Sequence, residues 1–165
     1  MTARLARVTM ILSAVTLSAA VLAVAVLANA QSKDPFVGTW KLNAAKSKYS
    51  PGPTPKSATS TYEAAGQGYK IAVKNESASG TIQYSYTTNL DGKESQVTGN
   101  NPNADTLVVR RIDPHTLEAL SKKGGKATVT QRNVVSADGK TRTVTTTGTD
   151  PQGRKVNNVG VFERQ

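Results

Sequence analysis

From Ser57 to the C-terminus, apolar and polar residues alternate with a period of two, broken at short intervals by turn residues. In "YKIAVKN", Tyr69, Ile71 and Val73 share one face while Lys70 and Lys74 take the other. Ile82, Tyr84 and Tyr86 repeat the pattern in "TIQYSYTT", and Leu107, Val109 and Arg111 alternate with Val108, Arg110 and Ile112 in "TLVVRRI". That period is the mark of a strand with one wet face. Asp91-Gly92, "DPHT", Asp138-Gly139 and "DPQG" supply the turns, because these residues accept the backbone angles of tight hairpins. The pattern gives about ten strands: "VGTWKL" (37 to 42) and nine after Ser57, including "ESQVTG", "LEALSK", "ATVTQRNVV", "TRTVTTTGT" and "RKVNNVGVFER".

Short turns cannot join parallel strands, so the strands form an antiparallel meander. Left open, such a meander would expose two edges, and closure removes them. The expected fold is all-β: a meander closed into a barrel of about 8–10 strands, with a two-sheet sandwich as the alternative. Between the first strand and Ser57 the pattern changes. Asn43 can cap a short helical segment through Ala44, Ala45 and Lys46, and Pro51, Pro53 and Pro55 then forbid further helix.

The first thirty residues follow another rule. Arg4 and Arg7 precede an apolar run from Val8 to Ala28, and Ala28-Asn29-Ala30 is a cleavage pattern. The expectation is a signal peptide over 1–30 and a single domain over 31–165, with an uncleaved anchor as the rival, since the run approaches bilayer length. Either way the folded part is exported, to a periplasmic or extracellular compartment. The sequence has no cysteine, which excludes a disulfide framework and thiol chemistry. Taking Arg4 and Arg7 from the 21 basic residues leaves 19 against 11 acidic ones, a net charge of about +8. An anionic envelope surface is a candidate partner for such a chain. The densest basic group, "SKKGGK" at 121 to 126, reads as a hairpin tip without an aromatic platform, so no specific nucleic acid is expected.

Gly38-x-Trp40 near the start of the domain, the helical detour and the meander ending in "NVGVFER" resemble the calycin group of lipocalins and fatty-acid-binding proteins. The segments "GTWKLN", "KSKYSPGPTPKS", "VTGN" and "TTTGTD" are more closely similar to small exported bacterial lipocalin-like proteins. The resemblance implies that Trp40 closes one end of the barrel beside Gly38, under a basic side chain of the last strand. Arg164 is the candidate partner, and Arg132 the second choice. The chain departs from fatty-acid-binding proteins in lacking their C-terminal basic-x-aromatic pair, for here Phe162 precedes Arg164.

If the apolar alternates point inward, Tyr69, Ile71, Val73, Ile82, Tyr84, Tyr86, Leu107, Val109, Val129, Val144 and Phe162 line the interior. Thr88, Arg111, Gln131, Asn133 and Asn158 are polar candidates among them. Arg111 shares the face of Leu107 and Val109, so it is the arginine expected to turn inward, where its fork suits a carboxylate or phosphate. The rival register turns Arg110 inward, or gives Arg111 an internal acid such as Glu118. The candidate ligand-binding residues are Tyr69, Tyr84, Tyr86, Val109, Arg111 and Gln131. His115, the one histidine, lies in a turn beside Asp113 without a nucleophile motif, and no cluster has metal-ligand spacing. No catalytic residue, metal or cofactor is expected. The expected function is non-catalytic binding of a small apolar or amphipathic ligand inside the barrel. The alternative is an envelope-associated interaction module with a filled barrel, acting through its basic surface. A void of several hundred cubic ångströms would favour the first and a packed interior the second.

Overall fold

Hairpins join most successive strands to one another, and the sheet closes on itself. In the computed structural model, described over residues 34–78 and 80–165, eleven antiparallel strands form one sheet. They are β1 Gly38–Leu42, β2 Ser57–Ala65, β3 Gly68–Ser77, β4 Gly80–Thr88, β5 Asp91–Gln96, β6 Thr98–Gly99, β7 Thr106–Asp113, β8 Thr116–Lys123, β9 Lys126–Val135, β10 Thr141–Thr149 and β11 Lys155–Arg164. The signal-peptide expectation for 1–30 lies outside the described residues. Among the described residues, no helix is long and apolar enough to cross a membrane.

The stretch "ESQVTG", expected as one strand, is two. β5 pairs with β7 and β6 pairs with β4, with Val97 between them. One short piece of chain therefore touches both ends of the sheet order and closes the barrel. β1 is joined to β11 on one side and β2 on the other, with Trp40 opposite Arg164 and Ser60. The helical detour is a single 3-10 turn over Ala44–Lys46, capped by the Asn43 side chain, which accepts from the Lys46 N–H. Past it the chain rejoins the flank of β11, where Lys48 pairs with Val159.

The alternation places the core. Phe36, Trp40, Tyr62, Tyr69, Ile71, Leu117, Val135 and Phe162 pack as one buried cluster, and Ala104, Leu107, Val109 and Ala119 as a second. At one end the segment Asp34–Val37 folds across the barrel. Phe36 is fully buried there, and the Trp40 indole N–H donates to its carbonyl at 2.9 Å. Arg164 lies over Trp40 and donates to the Val37 and Gly139 carbonyls at 2.6 and 2.7 Å, and also to the Pro35 carbonyl. This is the closed end. The opposite end carries the β3–β4 and β10–β11 turns, the β6–β7 loop and the segment after the 3-10 turn.

Candidate functional site: an interior cavity with a buried arginine

β10 holds the side chain that organises the interior. Arg142, Val144 and Thr146 stand two apart on this strand and all face inward, toward a cavity of about 170 Å³. Its wall runs from Arg142, Tyr62 and Phe162 outward past Tyr84, Tyr86 and Gln131 to Tyr49, Asn101 and Asn103 near the open end.

Arg142 is only 3% exposed. Its Nη1 donates to the Tyr62 hydroxyl at 2.6 Å and to Asn133 Oδ1 at 3.0 Å, and its Nη2 donates to the Ser60 hydroxyl. The rings of Phe162, Tyr62 and Trp40 surround the guanidinium carbon at 4.7, 4.9 and 5.6 Å from their centroids. A ring face attracts a cation, so this cage offsets part of the desolvation cost. What the cage lacks is a negative charge. No carboxylate among the described residues lies within ion-pair distance of Arg142, and its Nε–H is buried without a partner. A guanidinium carries five N–H donors. Here Nη1 uses two and Nη2 one, leaving the Nε–H and one Nη2 hydrogen.

Tyr84 and Tyr86 stand as a stacked pair of rings on β4, beside the cavity. Their rings are near-parallel, tilted by 14° with centroids 6.4 Å apart. Burial pushes both hydroxyls above the ordinary tyrosine range, helped by the neighbouring phenol of Tyr62 and opposed in part by Arg142. Burial raises Tyr49 as well, again opposed by Arg142. Among the described residues, the hydroxyls of Tyr84 and Tyr86 and the side-chain amides of Gln131 and Asn75 have no protein hydrogen-bond partner. The cavity wall therefore offers a buried cation, two parallel phenol rings and several free polar ends.

Of the residues singled out in the sequence, Tyr84, Tyr86 and Gln131 stand together on this wall. Tyr69, Val109 and Arg111 stand elsewhere. Val109 is buried in the second core cluster. Arg111 turns inward at the closed end, where its Nη2 meets Asp34 Oδ2 at 2.8 Å and the Tyr69 hydroxyl. The Tyr69 O–H donates to Asp34 at 2.6 Å, and burial followed by this bond pushes its pKa well up. Arg111 also lies against the rings of Tyr69 and Phe36. Gly38, Trp40 and Arg164 meet at the same end, where a Cβ on Gly38 would lie 2.7 Å from Arg164 Nη1. Arg132, the second choice, is on β9 and is not among the cations over the Trp40 ring.

Arg142 itself was absent from the candidates, although its signal was present. It precedes Val144 by two on one strand, so an inward Val144 entails an inward Arg142. His115 sits in the β7–β8 turn, its N–H bonded to Asp113. Among the described residues no three histidine, aspartate, glutamate or cysteine side chains are grouped to hold a metal.

No family model matches the chain, and no curated protein matches it. Among solved structures, the zebrafish ileal bile acid-binding protein complexed with cholic acid is similar, with a TM-score of 0.46 and 14% identity. The match covers 79% of this chain and 99% of that one.

Proposed function

We propose that the protein is an exported, non-catalytic binding protein that holds a small amphipathic molecule inside its barrel, with the molecule's anionic group on Arg142. One observation carries the reading. Arg142 is a buried cation with unused donors, and it borders a cavity without an acid to neutralise it. An isolated buried charge costs several kcal/mol, of order 3–5, unless something pairs with it. A carboxylate or phosphate entering the cavity supplies that partner and takes up donors the fold leaves free. The aromatic cage holds the guanidinium in place beforehand, so little ordering cost falls on binding.

Native mass spectrometry of the protein purified from its own envelope, paired with a denatured run, tests this. An added mass lost on denaturation is expected, together with an intact mass that begins at Gln31. A bare protein that also fails to take up any anionic small molecule at millimolar concentration would overturn the binding reading. An intact mass retaining the leader would replace free export with an anchored barrel.

A further inference from the structure

The cavity wall sets aliphatic side chains such as Ile82, Val129 and Val144 beside aromatic and polar groups that a saturated chain would leave unused. Resting on the reading above, we infer that the ligand is a small hydroxylated aromatic carboxylate, a single ring bearing one carboxylate and at least one hydroxyl.

Three observations converge on that class. The first is size. The cavity holds about 170 Å³, close to the roughly 150 Å³ that accommodates one benzene-sized molecule. A long acyl chain needs several times that space, and one ring with a small anionic group does not.

The second is shape. Tyr84 and Tyr86 stand as a stacked pair of near-parallel rings beside the cavity, and an aromatic ligand gains an offset-stacked or edge-to-face ring contact with them. An alkyl chain gains contact area there but no quadrupole term.

The third is polarity. The phenol oxygens of Tyr84 and Tyr86 and the amides of Gln131 and Asn75 border the cavity without protein partners. An aliphatic ligand would strip water from these groups and return nothing. A ring hydroxyl, one donor and two acceptor sites, restores part of what is lost, and sites of this kind discriminate strongly against an analogue lacking the polar group. The carboxylate takes the inner position at Arg142, and the hydroxyl faces the amides nearer the open end.

Calorimetric titration of the purified protein with 4-hydroxybenzoate, benzoate and octanoate separates the alternatives. Octanoate matches 4-hydroxybenzoate in the number of non-hydrogen atoms, so size alone cannot favour either. The expected order is 4-hydroxybenzoate, then benzoate, then octanoate, with at least about a tenfold gap between first and last. Arg142→Met should abolish binding of all three. Gln131→Leu, outside the cage, should weaken 4-hydroxybenzoate and spare benzoate, and it keeps the test open if the arginine variant does not fold. Octanoate binding as tightly as 4-hydroxybenzoate, and lost in Arg142→Met, would overturn the aromatic class and leave the interior anion site standing. Absence of binding by every carboxylate, or binding indifferent to Arg142→Met, would overturn both.

Discussion

The guanidinium carbon of Arg164 lies 4.3 Å from the centre of the Trp40 ring, and the two residues face each other across the β1–β11 pair. The ring seals the closed end while the guanidinium fastens three backbone carbonyls around it. Losing this fork should cost about 3 kcal/mol in Arg164→Ala, from charged hydrogen bonds and the ring contact together. Arg164→Lys should recover less than half, because an ammonium cannot reach three carbonyls in one plane. Urea unfolding of the two variants measures both figures. A lysine variant as stable as the parent would show that charge over the ring suffices. Gly38→Ala should lose about 2 kcal/mol by the same assay, since its φ of +134° excludes other residues and a Cβ would press on Arg164.

Asp34, Tyr69 and Arg111 form a second clasp on the same end, and it holds the chain segment that crosses the barrel. Both charged partners are about one-third exposed, so solvent screens the pair. Asp34→Asn should lower stability by only about 1 kcal/mol. Arg111→Met should leave the small-molecule complement seen by native mass spectrometry unchanged, because Arg111 does not border the cavity. Loss of that complement in Arg111→Met would move the ligand to the closed end.

The barrel itself was legible because alternation is local. Ile71 and Leu107 are buried on the faces their neighbours implied. Alternation assigns a face but not a height along the barrel. Val109 and Tyr86 both point inward, yet Val109 fills the core and Tyr86 borders the void. Height depends on turn lengths and strand stagger, which only the closed sheet fixes. Arg142 was hidden differently. In "TRTVTTTGT" the outward residues are all threonine and the inward ones are Arg142, Val144, Thr146 and Gly148, so Val144 alone marks the inner face by hydropathy. The Asp34–Arg111 pair joins positions 77 residues apart, and no sequence pattern brings them together.

Acid and alkali should weaken the fold by separate routes. The Gly124 N–H on Asp105, the Ser136 hydroxyl on Asp138 and the Asn43 amide on Glu163 hold these carboxyls below their ordinary values of 3.8 and 4.5. The unfolded chain therefore binds more protons through that window, so their contribution is complete above about pH 5 and is lost as pH falls through the folded values. Phenols behave in the opposite sense. Burial holds Tyr49, Tyr69, Tyr84 and Tyr86 protonated beyond the ordinary value of 10.0, and their stabilisation fades as pH rises above it. Tyrosinate absorbance during alkaline titration checks this. These four should ionise together with unfolding, and gradual ionisation of all four in a folded protein would contradict their burial.

Arg142 lends itself to a test in which the sign of the answer matters. If the cage serves only to hold the fold together, removing its cation should destabilise strongly, by about 3 kcal/mol or more, as for a broken buried network. If Arg142 is kept for a ligand, the apo protein carries the cost of an unpaired buried charge. Arg142→Met replaces that charge with a flexible apolar chain among Phe162, Tyr62 and Trp40. The substitution also strands the hydroxyls of Ser60 and Tyr62 and the Asn133 amide, which opposes the gain. The expected balance is a ligand-free stability equal to the parent's or up to about 2 kcal/mol higher, with binding lost. Denaturant midpoints of ligand-stripped parent and variant decide it. A large loss of stability would make Arg142 a structural keystone and remove the main support for an interior anion site.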